Sequence, residues 1–576
     1  MRRLDTDILI LGSGGAGLFA ALHAHQAQLR AASPLSITVA VKGLLGKCGC
    51  TRMVQGGYNV ALAKEDSVER HFMDTIEGGK WLPDQDLAWK LVTLAVERIK
   101  ELENELGCFF DRNADGTVHQ KAFAGQTFDR TVHKGDLTGI EIINRLAEQV
   151  WARNIARLEE HRAVELIKNA PGNAIAGVVF IDMRTGEYLF VRARAVLLGT
   201  GGGPTMYKYH TPSGEKSCDG LAMALRAGLP LRDMEMVQFH PTGLYAGAHT
   251  RMTGTVLEEG LRGSGGYLLN GARQRFMPKY DSRAERATRD VVSRAMFAEI
   301  RSGNTTPNGG LYISMAHLNQ DLVKKQFRGM VERCADCGFD LAGGLVEVVP
   351  TAHYMMGGVE FNPDCSTALQ GLFVAGEDAG GVHGANRLGG NGVANSTVFG
   401  AVAGDTMAQW VSRGASFSEP DRAGIEQSVS ECERPFNSGT TAHGSLEPLR
   451  EHLYETMWEK AGIIRDAAGL RSGLSELAAI ESELNACGIA DTGRAFNLSW
   501  HDWLNLKSLV QTSRVIAEAA LARTDSRGAH FREDFPESGP LGSSSYTSLR
   551  MNGSAMEIRM KPVTFSRVRP GQTLLR

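Results

Sequence analysis

The hydrophobic pattern at the start of the chain predicts a strand, a helix and a second strand. A short apolar run, Asp7 to Leu11, is followed by glycines and then by an apolar segment from about Ala16 to Gln28. A second apolar run extends from Ser36 to Lys42. This order is typical of a βαβ unit, in which two buried parallel strands are joined by a helix.

Two later strand-like runs also end in glycine-rich turns. The run Ala193 to Leu198 leads into Gly-Thr-Gly-Gly-Gly at 199–203, and the run Gly371 to Ala375 leads into Gly-Glu-Asp at 376–378. Because these three strand ends are far apart in the sequence, they predict one nucleotide-binding domain that is assembled from separated pieces.

The remaining segments predict further units. Residues 241–349 lie between two of these pieces and are predicted to form an inserted domain. From about Val411 to Ala522 the pattern is helical, with amphipathic stretches such as Asp502 to Ala522. After Asp534 the chain is rich in Pro, Gly and Ser, with a short strand-like run from Glu557 to Phe565. We therefore predict a discontinuous domain at 1–240 and 350–410, an inserted domain at 241–349, a helical domain at 411–532 and a tail at 533–576.

Composition narrows the class of protein. A chain of 576 residues corresponds to roughly three or four domains. Its net charge of −3 gives no reason to expect nucleic acid as a partner. Nine scattered cysteines indicate a reducing compartment, and the lone CxxC at Cys334 and Cys337 has no second pair, so we predict no metal site. The apolar N-terminal run is broken by Asp5, Asp7 and glycines, and no run reaches the ~18 residues of a membrane span. We expect a cytoplasmic protein without direct membrane insertion, which could lie on the inner face of a membrane through partners.

The first glycine turn has the spacing of a dinucleotide-binding motif. Gly12, Gly14 and Gly17 form GxGxxG between a strand and a helix. In this motif the glycines permit a tight turn, a close approach to the pyrophosphate and close packing of helix on strand, and the phosphates lie at the helix N-terminus. The usual acidic residue at the end of the second strand is replaced by Lys42 and Gly43. The motif alone does not distinguish FAD from NAD, but the further glycine turns favour the longer FAD.

A set of ordered motifs resembles one known family. These are VQGG (54–57), DLTG (136–139), FHPTG (239–243), EEGLRG (258–263), RDVVSR (289–294), PTAHYMMGG (350–358), VAGED (374–378), HGANRLGGN (383–391) and SRGAHFRED (526–534). The chain resembles the flavoprotein subunits of succinate dehydrogenase and fumarate reductase, which are related to L-aspartate oxidase. The resemblance implies an α/β fold: a Rossmann-like FAD-binding domain, an inserted α+β capping domain and a C-terminal helical domain. It also implies hydride transfer between flavin N5 and a carbon beside a carboxylate.

The resemblance assigns roles to residues of the substrate site. His240, His353 and Arg387 match the family's catalytic carboxylate clamp, a role suited to bidentate Arg and hydrogen-bonding His. Arg289 matches the proton donor or acceptor, and Glu259 with Arg262 matches its proton relay. Gln126 and Thr127 lie where the family presents capping residues to the substrate, and the Gln favours a dehydrogenase over an aspartate oxidase. The same comparison places the FAD contacts at Gly12, Ser13, Gly14, Gly15, Ala16, Gly17, Lys42, Gly43, Cys50, Thr51, Gln55, Gly56, Gly57, Val164, Thr200, Gly201, Gly202, Asp219, Glu377, Arg387, Asn391, Gly392 and Val393.

The chain departs from the family pattern at three positions. Cys50 replaces the His that carries covalent FAD, so we expect non-covalent FAD, with a cysteinyl thioether at Cys50 as the alternative. Glu258 replaces a Thr that donates to a substrate carboxylate. Either Glu258 turns away from the substrate, or the substrate there is neutral, hydroxylated or cationic, and we expect fumarate and succinate to be poor substrates. Gly392 replaces a Ser and is expected to loosen a flavin contact.

Three functions remain open at this point. The first is a catalytic subunit that exchanges electrons with an iron–sulfur partner, since the chain has no cluster ligands of its own. The second is a flavin oxidase of the aspartate oxidase kind. The third is a non-catalytic flavin carrier, against which the presence of Arg289, Glu259, His240, His353 and Arg387 argues.

Overall fold

The first strand, Arg2–Leu11, is the centre of a sheet with seven strands among the described residues. We describe a computed structural model, which covers residues 1–31, 34–247, 250–437, 446–553 and 555–575. In the N-terminal part of the chain the strands and helices are, in order, β1 (Arg2–Leu11), α1 (Gly15–Ala31), β2 (Ile37–Ala40), β3 (Tyr58–Asn59), α2 (Val68–Gly78), α3 (Gln85–Asn104), β4 (Gln120–Lys121), β5 (Thr131–Val132), α4 (Thr138–Trp151), β6 (Ala156–Leu158), β7 (His161–Lys168), β8 (Ile175–Asp182), β9 (Tyr188–Leu198), α5 (Asp219–Arg226), β10 (Leu231–Arg232) and β11 (Val237–Leu244).

The main sheet has the strand order β6-β2-β1-β9-β8-β7. β1 pairs in parallel with β2 on one side and with β9 on the other, which confirms the predicted α/β fold. Side chains of β1 alternate between two hydrophobic clusters: Ile8 and Ile10 pack with helix α1, and Leu9 and Leu11 pack with the other layer. This period of two, in a strand buried on both faces, explains why its sequence is a continuous apolar run.

The inserted segment has its own sheet and its own core. It contains α6 (Gly260–Gly263), β12 (Tyr267–Leu269), α7 (Arg289–Arg301), β13 (Leu311–Ser314), α8 (Gln320–Gln326), α9 (Arg328–Asp336) and β14 (Leu345–Met355). The strand order β11-β14-β13-β12 is antiparallel throughout. A separate hydrophobic cluster, with members from Leu244 to Val348, fills this unit. Strands β11 and β14 lead into and out of it.

The chain then returns to the first domain and completes its sheet. β15 (Gly358–Val359) is followed by β16 (Leu372–Val374), which pairs in parallel with β9. The next helix, α10 (Asn391–Ser412), packs along α1. The third predicted piece of the nucleotide-binding domain is therefore part of the same sheet as the first two.

Helices dominate the next segment. They are α11 (Arg422–Asn437), α12 (Leu446–Lys460), α13 (Ala467–Ala486) and α14 (Leu498–Ala522). The amphipathic stretch predicted from Asp502 begins earlier, because the Asn497 side chain accepts a hydrogen bond from Trp500 N and caps the helix there. No helix in the described residues is long and apolar enough to cross a membrane.

The tail folds back onto the first domain as a hairpin. β17 (Ser545–Asn552) pairs with β18 (Ala555–Pro562), and β17 also pairs with β10. The strand predicted at 557–565 therefore starts two residues earlier and ends at Pro562.

Candidate active site

The turn after β1 has backbone that only glycine can form. Gly12 has φ +106°, and a Cβ there would lie 2.1 Å from Gly199 O. A Cβ on Gly17 would lie 2.0 Å from Gly12 O, so helix α1 packs directly on the turn. Gly15 N donates to Thr51 Oγ1 at 3.0 Å, and Ser13 lines the cavity beside the same turn. A helix N-terminus with a neighbouring hydroxyl is an arrangement that binds phosphate.

The second and third glycine turns are held together by acidic side chains. Asp378 accepts hydrogen bonds from Thr200 Oγ1 and Gly201 N, both at 3.0 Å. Glu377 accepts from Met355 N at 2.9 Å and from Gly203 N at 3.3 Å. Asp378 was missing from the predicted site, although it lies in the VAGED motif, because its partners are nearly 180 residues away in the sequence.

Helix α5 supplies a carboxylate, Asp219, next to Lys42, which replaces the acidic residue usual at the end of the second strand. Asp219 lies 2.9 Å from Lys42 Nζ and 2.7 Å from Arg162 Nη2. Burial opposes ionisation, but Arg162 and Lys42 hold the pKa of Asp219 below its usual value. An ionised carboxylate at this end of the cavity is suited to accept hydrogen bonds from ribose hydroxyls. Arg162 was not predicted.

One continuous cavity runs along these turns into the inserted unit. It is lined by the predicted cofactor residues Gly12, Ser13, Gly14, Gly15, Ala16, Lys42, Gly43, Cys50, Thr51, Gln55, Gly56, Gly57, Thr200, Gly201, Asp219, Glu377, Arg387, Gly392 and Val393. Gly17, Val164, Gly202 and Asn391 do not line it. Gly17 packs on Gly12, Gly202 lies against Met355, and Asn391 accepts a hydrogen bond from Asn59 at 2.9 Å, while Val164 lines a second cavity. The elongated shape and the phosphate turn fit FAD.

Cys50 is placed beside the cavity as an unpaired thiol. It begins a single 3-10 turn, Cys50–Met53, after Gly49 with φ +87°. Cys48 lines the same wall, and both thiols are free and half-buried. Burial, together with the nearby Glu377, raises the pKa of Cys50 to about 12. The group is therefore a neutral thiol near pH 7, which is a poor nucleophile.

Two neutral imidazoles and one unpaired guanidinium form the wall at the inserted unit. His240 on β11 and His353 on β14 have ring centroids 5.3 Å apart. Burial, and then the charge of Arg289, holds the pKa of each well below its usual value. Arg387 lies 4.4 Å above the Tyr354 ring and forms no ion pair with any described residue. Burial, and then Arg289, lowers its pKa to about 10, so it remains a cation. A buried cation beside two hydrogen-bonding imidazoles is an arrangement suited to bind a carboxylate.

Arg289, Glu259 and Arg262 are connected in that order. Arg289 Nη2 lies 2.7 Å from Glu259 Oε2, and Arg262 Nη2 lies 3.0 Å from Glu259 Oε1. Arg289 and Glu259 line the cavity, whereas Arg262 is completely buried behind them and donates to Glu285 O at 2.7 Å. Burial opposes it, but the two arginines hold the pKa of Glu259 below its usual value. Gln238, which accepts from Arg289 at 3.0 Å, was not predicted.

Gln126 and Thr127 do not reach the cavity. Thr127 bonds through both its backbone N and its hydroxyl to Asp74 at 3.0 Å. Gln126 Nε2 donates to Gly389 O at 2.9 Å, and a Cβ on Gly389 would lie 2.4 Å from Glu259 Oε2. Gln126 thus fixes the backbone next to Glu259 and does not face the cavity, and the residue of this segment that lines the cavity is Phe123.

Glu258 and Gly392, where the chain departs from the family pattern, both line the cavity. The Glu258 carboxylate lies on the wall, and its Oε1 pairs with Lys121 Nζ from β4. Burial raises the pKa of Glu258, and Lys121 opposes this. A Cβ on Gly392 would lie only 3.1 Å from Arg387 Nη1, so the missing side chain leaves room for the guanidinium.

Comparison with known proteins identifies the family. Residues 7–393 match the FAD binding domain family, and residues 450–574 match the fumarate reductase flavoprotein C-terminal family. The chain belongs to the fumarate reductase and succinate dehydrogenase flavoprotein family. It is 39% identical over 541 residues to a fumarate reductase (CoM/CoB) subunit of Methanothermobacter marburgensis, covering 93% of this chain and 95% of that one. It is 33% identical over 554 residues to the fumarate reductase flavoprotein subunit of Escherichia coli, covering 93% and 89%.

A solved structure of the same family has the same fold. The FrdA chain of a mutant E. coli quinol fumarate reductase superimposes with a TM-score of 0.92 at 30% identity, covering 99% of both chains. The chain is therefore an FAD-dependent oxidoreductase. Its membership of this family supports a reaction in which a dicarboxylate is oxidised or reduced.

Proposed function

We propose that the chain is the catalytic flavoprotein subunit of a fumarate reductase-like enzyme that acts on a small carboxylic acid and exchanges electrons with an iron–sulfur partner. The observation that carries this proposal is the connected Arg289–Glu259–Arg262 group on the wall that also holds the unpaired Arg387. A non-catalytic flavin carrier has no need for buried charges of this cost.

The residues of the wall divide the work of the reaction. Arg387 is a cation that is not paired with an acidic side chain of the described residues, so it can bind a substrate carboxylate. The neutral His240 and His353 donate or accept hydrogen bonds around that carboxylate. Because these groups are buried and fixed, the substrate is oriented with little loss of entropy in the reactive state. When bound, FAD supplies the hydride acceptor or donor at its N5.

The proton is handled by the arginine that faces the cavity. Arg289 delivers a proton to the substrate carbon, or removes one in the opposite direction. An arginine does so only if neighbours restore its charge at once, because a guanidinium normally stays protonated in proteins. Glu259 is hydrogen-bonded to Arg289 and to Arg262, so it is placed to return the proton from the buried side.

The cofactor is held without a covalent bond in this proposal. Cys50 offers a neutral thiol where the family carries a histidine link, and the phosphate turn with Asp219 supplies binding contacts. A covalent histidyl link raises the flavin potential in this family, so its absence favours reduction of an unsaturated acid. The relatives are named as subunits, which supports a separate electron partner.

Anaerobic flavin titrations test the proposed activity. The FAD-loaded chain is reduced photochemically and mixed with a panel of unsaturated C4 and C6 acids, and flavin reoxidation is followed by absorbance. We expect at least one acid to reoxidise the flavin in a rate-saturating manner. Failure of all acids, with reoxidation only by an iron–sulfur protein, would indicate the carrier. Rapid peroxide formation with L-aspartate in air would indicate an oxidase.

A further inference from the structure

The substrate end of the cavity presents a carboxylate as well as cations. Glu258 is 3% exposed, and its Oε1 is occupied by Lys121. Its Oε2 forms no hydrogen bond with any residue that the structure describes, although Glu258 lines the cavity. The cavity that holds the anion-binding groups is therefore also lined by a carboxylate with one oxygen not bonded to any described residue.

Lys121 forms an ion pair with this carboxylate and opposes the effect of burial on its pKa, and it does not line the cavity. Its Nζ also donates to Gly135 O at 3.4 Å and lies 5.7 Å from the Phe123 ring centre. Phe123 and Glu258 line the cavity, whereas Lys121 lies behind Glu258. A bound molecule thus meets the acceptor and not the ammonium. Because Lys121 belongs to β4 and Glu258 to the inserted unit, the pair also joins the two units.

We propose that Glu258 selects a substrate that carries one carboxylate for Arg387 and a hydrogen-bond donor, such as an amide N–H or a hydroxyl, at its other end. This inference rests on the proposed function. An ionised carboxylate accepts hydrogen bonds and cannot donate them, and it repels a second substrate carboxylate. Lys121 is the positioning residue that holds Glu258 Oε1 and leaves Oε2 toward the ligand.

A pair of nearly isosteric acids separates this proposal from the simpler dicarboxylate site. Fumarate and its monoamide differ only in that an amide replaces one carboxylate. In the photoreduced, FAD-loaded chain we expect kcat/KM for the monoamide to exceed that for fumarate by about 10- to 100-fold, the range of one hydrogen bond to a charged group. Dissociation constants measured by perturbation of the oxidised flavin spectrum are expected to differ in the same direction.

Two variants link the preference to the side chain. Glu258→Gln removes the charge and adds a hydrogen-bond donor. We expect the ratio of kcat/KM for the monoamide to kcat/KM for fumarate to fall at least tenfold in this variant. Glu347→Gln changes another buried carboxylate of the inserted unit, which bonds to Thr306 and Asn308, and is expected to keep the wild-type ratio.

The outcomes distinguish this inference from the proposed function. If fumarate is reduced as fast as the monoamide or faster in the wild-type chain, the selection by Glu258 is overturned while the enzymatic function stands. If neither acid reoxidises the flavin, the result counts against the proposed function. The selection by Glu258 is then tested by the dissociation constants of the two acids alone. Tighter binding of the monoamide then supports it, and equal or absent binding of both acids overturns it.

Discussion

Arg289 Nη2 lies 2.7 Å from Glu259 Oε2, and both side chains are buried. The pair is suited to proton transfer, because Arg289 lines the cavity and Glu259 also pairs with the buried Arg262. In Glu259→Gln the amide cannot carry the proton, so we expect kcat to fall by about 10²- to 10⁴-fold, the range of acid–base catalysis. Steady-state rates and the FAD content measure this.

The matched control for that variant lies on the same helix as Arg289. Glu299→Gln alters a buried carboxylate that bonds to Tyr280 and Asn304, away from the cavity. We expect it to keep kcat within a few-fold. A Glu259→Gln protein with normal FAD content and normal kcat would exclude the relay.

The ring of Tyr354 supports the anion receptor. Arg387 lies 4.4 Å above it, and a desolvated cation–π contact of this kind is worth about 2 kcal/mol. We expect Tyr354→Leu to weaken carboxylate binding by roughly tenfold or more, and Tyr354→Phe to leave it nearly unchanged. Spectral titration of the flavin gives both dissociation constants. Equal weakening in both variants would assign the effect to the hydroxyl instead.

The turn at Gly12 is expected to decide whether FAD binds. In Gly12→Ala the new Cβ would overlap Gly199 O, and φ +106° is strained for alanine. We expect the purified variant to contain less than a tenth of the wild-type FAD. Gly542→Ala is the control, because Gly542 has open space around its Cα and no left-handed backbone. Normal FAD content in Gly12→Ala would contradict the turn as the phosphate site.

We expect no covalent bond between Cys50 and the flavin. Its pKa of about 12 disfavours the thiolate that a thioether link requires. Acid precipitation should therefore release all FAD into the supernatant, from the wild-type protein and from Cys50→Ser alike. Flavin retained in the wild-type pellet but released from Cys50→Ser would demonstrate a covalent link.

The pH dependence of stability should report buried neutral histidines. Burial, and then Arg162, lowers the pKa of His501 to about 3, against an ordinary value of 6.5. Its contribution is present above pH 6.5 and is lost as the pH falls from 6.5 toward 3, because the unfolded chain then binds a proton that the folded chain does not. At pH 5 the loss in the free energy of unfolding amounts to about 2 kcal/mol relative to pH 6.5 and above.

His501→Gln removes this titration. We expect the drop in melting temperature between pH 7.5 and pH 5 to be smaller in the variant than in the wild-type protein, by about one to two degrees for a chain of this length. Melting curves at both values, with FAD in excess, make the comparison. An unchanged drop would show that other groups cause the acid lability.

The sequence was sufficient for features that depend on neighbouring residues. Gly12 and Gly17 are recognisable because a tight turn between strand and helix needs glycine at fixed spacing, and the apolar run of β1 follows from burial on both faces. The side chains of Arg289, Glu259 and Arg387 were predicted from motifs, and the structure brings them to one wall.

Side chains that act through distant partners were not predictable in this way. Lys121 meets Glu258 and Asp378 meets Thr200 only after folding, and no local pattern marks either pair. Gln126 was expected at the substrate, but its amide is used by Gly389 O one layer behind. Long-range hydrogen bonding of a polar side chain depends on tertiary contacts that a motif does not encode.

The parallel pairing of β1 with β9 has a consequence for synthesis. Residues 2–11 pair with residues 189–198, so β1, which pairs with β2 on its other edge, lacks this second partner until β9 has been made. At ribosomal rates of about 5 to 20 residues per second this takes roughly 10 to 35 s. The cavity wall that includes Arg387 and Val393 is made later still. The nascent chain therefore carries an apolar strand with one unpaired edge until β9 is made, and the cofactor can enter a finished site only after about two thirds of the protein has emerged.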